Sequence, residues 1–257
     1  MIEPLRLTAR DNPLLQRIRK LAQDPGAYRK LGQVWLEGDH LVGAALTRGR
    51  MPEELVFTES AWHERADWRA WAEKARRVVC VPDALMAGLS GLESPPRIGA
   101  LLGLDHAAAV DPAAFTVVLD RLQDAGNVGS ILRSAAAFGV RQVLAIKGTA
   151  ALWSPKVLRA GMGAHFALAL HEGLSADDLS ALTVPMLATS SHAGLVLGQG
   201  ALPHPCAWVL GHEGRGVDPV LMARCAHTVS IPQPGGEESL NVAAAAAICL
   251  FASGTGH

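Results

Sequence analysis

Four cysteines stand at 80, 206, 225 and 249, and no two have C-x-x-C spacing. The ten histidines show no zinc-like spacing with them either. A structural zinc site and a disulfide framework therefore find no support, and buried free thiols in a reducing compartment are expected. Charge is scarce too: Asp, Glu, Lys and Arg make up 18% of the chain, against about 25% in ordinary soluble domains. With 49% hydrophobic residues the chain can bury a sizeable core. The charge deficit points to extra buried surface, as in an oligomer. The N-terminus, MIEPLRLTARDNPLLQRIRK, has no apolar stretch of the signal-peptide kind. The longest apolar run, Val242 to Ala252, is too short to span a bilayer. The expectation is a cytoplasmic protein without a membrane partner. No internal repeat or low-complexity segment is present.

A length of 257 residues suggests one large domain or two ordinary ones. The net charge of −1 carries no global nucleic-acid signature. Locally, residues 1–30 hold seven Lys/Arg against three acids, and residues 120–160 hold six against two. Such patches suit an anionic polymer, and scattered solvated charge explains the same counts. Asn12-Pro13 opens a helix by cap-and-proline logic. Beyond it, strands at 33–36, 54–57, 78–82 and 97–104 alternate with helices at 38–49, 60–77 and 82–92. That alternation predicts a compact α/β unit. Trp62, Trp68 and Trp71 lie at helical spacing, where a core role outweighs base stacking.

Residues 105–114, DHAAAVDPAA, read as a linker. Past it, strands are expected at 115–120, 143–148, 166–170, 186–191, 207–211 and 227–232. Helices are expected at 127–138, 154–164, 175–182 and 218–225, the last capped by Asp218. Near-continuous apolar strands separated by helices predict an open parallel sheet with helices on both faces. Ligands in such sheets sit outside the carboxyl ends of the strands.

Three polar or glycine-rich loops fall at such ends. The first, after Asp120, runs into a helix with Asn127 as cap candidate. There Val128, Ile131, Leu132 and Ala135 make an apolar stripe. Arg133 lies about 140° from Val128 and faces away from the core. It can reach a phosphate through its planar fork, or make an ordinary surface salt bridge. The second loop, LGHEGRG, offers Gly211, Gly214 and Gly216 for close backbone approach to a ligand. It has neither the dinucleotide fingerprint nor a Walker lysine. The third, IPQPGGEESLN, leads into an apolar helix at 242–252. Glu237 and Glu238 suit the positive end of that helix, and Ser239 or Asn241 can cap it. A helix apolar on all sides is expected to be buried on all sides. On spacing alone the stretch reads equally as a pocket or as a core helix with an ordinary loop before it.

Taken together, the order and spacing of the loops resemble the SpoU (TrmH-like) family of RNA ribose 2′-O-methyltransferases, in the knotted SPOUT class. N-V-G-S-I-L-R at 127–133, L-G-H-E-G-R-G-V at 210–217 and I-P-Q-P-G-G-E-E-S-L-N-V at 231–242 carry the resemblance. K-V-L-R-A-G-M-G-A at 156–164 is similar to the family's connecting segment. The likeness covers roughly 115 to 252. The first 100 residues look like the small substrate-binding domain often found ahead of it, which is related to a ribosomal RNA-binding protein. Three positions depart from the family pattern: Ala125 where proline is usual, His212 where asparagine is common, and Ala243 where serine is frequent.

The resemblance implies an α/β protein in two domains. A small N-terminal α/β RNA-binding domain, 1–104, is joined by the linker 105–114 to a parallel-sheet methyltransferase domain, 115–257, with a C-terminal trefoil knot. S-adenosylmethionine is expected as cofactor, bound bent against backbone groups of Gly211, Ile231 and Leu240, with no metal. Arg133 matches the family's catalytic position, often described as a general base. A guanidinium that keeps its proton suits phosphate anchoring and oxyanion stabilisation better. Asn127, Glu213, Ser239 and Asn241 match the family's other polar site residues and would orient Arg133 and the ribose. A homodimer is implied, packed through the last helix, with each site completed by the second subunit. RNA is the expected partner, ribosomal RNA before tRNA. A non-catalytic RNA-binding protein and a dinucleotide-dependent oxidoreductase are the competing readings. Intact motif residues count against the first, and the missing fingerprint against the second.

Overall fold

A computed structural model describes residues 2–105, 108–190, 194–235 and 239–254. The chain divides into two compact units. One comprises Met1–His106 with Trp153–Phe166, the other Ala107–Leu152 with Ala167–His257. The expected helix-start pair Glu237 and Glu238, with Gly236, lies outside the described residues, as do Ser191 and positions 106–107 of the linker.

The first unit begins β1 (Leu5–Arg6), α1 (Pro13–Gln23), α2 (Ala27–Leu31), β2 (Gln33–Glu37) and α3 (Asp39–Thr47). It continues β3 (Glu54–Thr58), α4 (Glu59–Glu64), α5 (Ala66–Arg69), β4 (Arg77–Val81), α6 (Asp83–Ala87) and β5 (Ile98–Gly103). Asn12 Oδ1 accepts from Leu14 N at 2.9 Å, and Pro13 sits in the first turn, so α1 starts as its cap predicts. Leu14, Leu15, Ile18 and Leu21 form its buried stripe. The sheet order is β1-β4-β3-β5-β2. β1, β4 and β3 run parallel, whereas β5 is antiparallel to both β3 and β2.

The single helix expected over 60–77 is broken. α4 stops at Glu64, α5 takes 66–69 and a 3-10 turn spans Ala70–Lys74. Arg65, at φ −106° and ψ 79°, makes the break. Its guanidinium lies 3.7 Å from the centre of the Trp68 ring and forks onto Asp67 at 2.9 and 2.6 Å. Trp68 is buried and stacks on Trp71 with ring centres 6.4 Å apart, and Trp62 sits edge-on to Phe57. The core role outweighs base stacking here, as the spacing suggested.

The second unit follows with β6 (Thr116–Leu119), α7 (Ala125–Ala137) and β7 (Gln142–Ile146). Next in the chain comes α8 (Pro155–Gly161), in the segment that clusters with the first unit. Then come β8 (Ala169–Leu174), β9 (Met186–Thr189), β10 (Leu195–Val196), β11 (Ala207–Leu210), α9 (Pro219–Met222), β12 (His227–Ser230) and α10 (Val242–Gly254). The expected strand over 166–170 starts later, because a 3-10 turn occupies Ala164–Ala167 after the left-handed Gly163. Seven strands in the order β10-β12-β9-β11-β6-β7-β8 are all parallel. β6, β7 and β11 are buried along their whole length, as their apolar runs predict.

α10 corrects one expectation. Ala246, Cys249, Leu250 and Ser253 are buried, and the Trp208 indole donates to Ser253 Oγ at 2.9 Å. Yet Ile248 is 40% and Phe251 55% exposed. The helix is apolar all round but covered on one side only within a single chain. All four cysteines are free. Burial pushes Cys206 and Cys249 up to about 12 and Cys225 up to about 11, so these thiols stay protonated. No helix among the described residues is long and apolar enough to cross a membrane.

Candidate active site

The carboxyl ends of β6, β9, β11 and β12 lie side by side in the second unit, and the polar loops leave from them. Asp120, the residue after β6, is fully buried. Its Oδ1 accepts from Arg121 Nε at 2.7 Å, and its Oδ2 accepts from the Asp218 backbone N–H at 2.7 Å. Arg121 has the left-handed φ of 55°, uncommon for a residue other than glycine. Asp120 thus clamps the loop after β6 to the end of the loop after β11. Asp218 also caps α9, accepting from Val220 N at 2.9 Å.

A second tie runs through side chains. Glu213 Oε1 accepts from the Asp124 N–H at 3.1 Å and from Asn127 Nδ2 at 3.3 Å, and its Oε2 accepts from Gln123 N at 3.3 Å. Burial raises the Glu213 pKa, but its own backbone N–H together with these hydrogen bonds holds it below the ordinary carboxylate value. Asn127 Oδ1 in turn accepts from Asn241 Nδ2 at 3.0 Å. Asn241 Oδ1 accepts from the N–H groups of Ala243 and Ala244 at 2.9 and 3.2 Å, so Asn241 caps α10. The cap of α7 is Asp124, not Asn127: its Oδ1 accepts from Asn127 N at 2.7 Å. That frees the Asn127 carboxamide to bridge Glu213 and Asn241. One chain of hydrogen bonds therefore joins all three loops.

Beside it lies a cleft of about 640 Å³. Gly211, Ile231 and Leu240 line it together with Glu213, Ser239 and Asn241. Gly211 tolerates no side chain: a Cβ there would stand 2.2 Å from the Gly216 carbonyl carbon and the Val217 nitrogen. His212 and Gly216 close the turn with reciprocal backbone bonds of 3.0 and 2.8 Å, and Gly216 has the left-handed φ of 67°. Gln233 also lines the cleft, and its buried Oε1 accepts no hydrogen bond from a described residue.

Arg133 stands apart. It is exposed on α7, does not line the cleft, and makes no hydrogen bond or ion pair with another described residue. It lies six positions on from Asn127, which is about 9 Å along the helix and roughly 240° around it. Sequence reasoning missed the Asp120–Arg121–Asp218 clamp and Gln233. The available signal was a carboxylate directly ending an apolar strand. Among the described residues no group of three metal-binding side chains converges.

The family model for SpoU rRNA methylases matches residues 114–251. The protein belongs to the SpoU family. A model for the MRM3-like substrate binding domain matches residues 12–100 of this SpoU protein. An uncharacterized tRNA/rRNA methyltransferase of Synechocystis is 32% identical, over 95% of this chain and 92% of its own. A 23S rRNA (guanosine-2′-O)-methyltransferase of Bacillus subtilis is 28% identical over 84% of this chain and 86% of its own. The S-adenosylmethionine-bound structure of an rRNA methyltransferase from Sinorhizobium meliloti superposes with a TM-score of 0.83 at 25% identity, covering 96% of each chain. The SpoU fold, a parallel-sheet α/β domain with a separate N-terminal domain, is thus common to both.

Proposed function

We propose that this SpoU protein transfers a methyl group from S-adenosylmethionine to a ribose 2′-hydroxyl of ribosomal RNA in the cytoplasm. The observation that carries the reading is the Glu213–Asn127–Asn241 chain, which ties all three motif loops at the edge of one cleft. The cleft suits the cofactor: it admits backbone contact at Gly211, has apolar walls at Ile231 and Leu240, and holds an unpartnered acceptor at Gln233. When bound, S-adenosylmethionine supplies a methyl group already activated on a sulfonium. The chain's own task is then placement, which carries much of the barrier reduction in such transfers. Gly211, Ile231 and Leu240 hold the cofactor by their backbone groups. Ser239, Asn241 and Asn127 orient the ribose. Glu213, held ionised by its hydrogen bonds, keeps Asn127 in place. Arg133 anchors the target phosphate and stabilises the oxyanion that develops as the hydroxyl loses its proton.

Arg133 does this in the second subunit's cleft of a homodimer. Two observations support that arrangement: Arg133 is not among the residues that line its own cleft, and α10 exposes Ala244, Ile248 and Phe251 as an apolar stripe. In this reading residues 115–257 form the catalytic domain with the family's C-terminal knot. Residues 1–104 grip RNA and 105–114 connect the two. α1, α2 and the chain before them suit the gripping role. Arg6, Arg10, Arg17, Arg19, Lys20 and Lys30 make no ion pair with another described residue. Nearby Asp24 is occupied by the Gly26 N–H at 2.8 Å.

The test is transfer of labelled methyl to ribosomal RNA and to tRNA, each from cells lacking the protein, with ribose methylation mapped. Signal on ribosomal RNA supports the reading. Signal on tRNA alone moves the substrate. Silence on both with no cofactor binding leaves an RNA-binding module. Mixing Arg133→Ala with Gly211→Val, each inactive alone, restores roughly a quarter of wild-type activity if Arg133 serves the other subunit. No restoration, with the mixed dimer shown to form, places Arg133 in its own cleft.

A further inference from the structure

We propose that Gln233 reads the adenine base of the cofactor, accepting from its exocyclic amine and donating to the adjacent ring nitrogen. The inference rests on the cofactor reading above and deepens it. Gln233 lines the cleft, its carboxamide oxygen is buried, and that oxygen has no hydrogen-bond partner among the described residues. Buried polar atoms in folded proteins are almost always paired, so an orphan on a cleft wall marks a place where a ligand supplies the partner. No other described residue engages the amide nitrogen, so neither end of the carboxamide is committed to another described residue. Either orientation of the amide leaves the same pair of groups to be met.

The required partner has a donor beside an acceptor. Adenine offers that pair in its 6-amino group and N7, the edge that Gln and Asn carboxamides match with two hydrogen bonds. The cofactor's ammonium is a poorer match, because a charged donor prefers the ionised Glu213, which lines the same cleft. The backbone holds Gln233 ready. Pro232 and Pro234 flank it, fixing φ on both sides, and a residue before proline is confined to extended conformations. Ile231 and Leu240 on the cleft wall supply the apolar surface a purine ring needs. Backbone contacts from the glycine loop would hold an adenosyl group without naming its base; Gln233 adds the discrimination.

Calorimetric binding of two ligands tests this: S-adenosylhomocysteine and its analogue with hydrogen in place of the 6-amino group. Wild-type protein is expected to prefer the amino compound by roughly tenfold or more, since removing the donor leaves the carboxamide oxygen buried and unpaired. Gln233→Leu, close to glutamine in size, should lose that preference by binding the amino compound more weakly while binding the analogue as before. Gln233→Glu retains an acceptor and should keep the preference, which shows that the cleft is still formed. A preference that survives in Gln233→Leu overturns the assignment, as does an equal weakening of both ligands. Wild-type protein that binds neither ligand overturns the cofactor reading itself, and the assignment with it.

Discussion

α1 and α10 are both surface helices with one face in a core, and their outer faces differ completely. α1 buries Leu14, Leu15, Ile18 and Leu21 and turns Arg17 and Lys20 to solvent. α10 buries Ala246, Cys249, Leu250 and Ser253 and turns Ala244, Ile248 and Phe251 outward. Cations without carboxylate partners suit a polyanion, whereas a contiguous apolar stripe suits another apolar surface. Phe251 leans edge-on against Phe138 at 5.9 Å, so the stripe continues onto the residue that follows α7. The contrast explains how a chain with a net charge of −1 can bind RNA: the basic excess need only be local, as it is on α1.

Breaking the apolar face should have the largest effect. Ile248→Asp with Phe251→Asp places two carboxylates on the stripe and should turn dimers into monomers in light scattering. If Arg133 works in the partner's cleft, methyl transfer falls with it by about 100-fold or more, the scale of losing one electrostatic stabiliser. Full activity in the monomer would sink the shared-site arrangement. Breaking the basic face should cost less. Arg17→Glu with Lys20→Glu should weaken RNA binding by about tenfold near physiological salt and flatten its salt dependence, with the dimer intact. Ser253→Ala sharpens the comparison from the inside of α10. It strips the buried Trp208 indole of its acceptor, so stability falls by about 1–3 kcal/mol in thermal unfolding, while RNA affinity holds.

The two helices also show what a sequence exposes. α1 was readable because Asn12, Pro13 and the spacing of its apolar residues are local signals. α10 was readable as a helix but not as a half-covered one, because uniform apolarity carries no direction. The same limit applies to the sheets. Apolar runs located most strands, but run length cannot tell that β5 pairs antiparallel, and β1 and β10, two residues each, are too short for any period. Nor does anything local in 153–166 announce that it clusters with the first unit. At the site, the motif residues stood out by type and spacing, and the structure joins Glu213, Asn127 and Asn241 directly. The clamp at Asp120 was hidden, since its partners are a backbone N–H 98 residues away and the side chain of its neighbour.

The smallest expected effect belongs to the loops rather than to either helix, and its sign follows from Glu213. Its folded pKa lies below the ordinary value of 4.5: burial raises it, but its own backbone N–H, the N–H groups of Asp124 and Gln123 and the Asn127 carboxamide together outweigh burial. A carboxylate of this kind adds stability above its unfolded pKa and loses it as pH falls through the lower, folded one. Acidifying from pH 7 should therefore leave the contribution intact to about pH 5 and remove it below. Glu213→Gln keeps an acceptor but no charge, so it should be less stable than wild type near pH 7. The two unfolding midpoints should converge as the pH falls below about 4. Parallel midpoints across that range would mean that the Glu213 charge contributes nothing to holding the loops together. Because the group is largely exposed, solvent screens it and the difference should be modest. A clear loss of methyl transfer alongside so small a change in stability would assign Glu213 to placing Asn127 rather than to holding the fold.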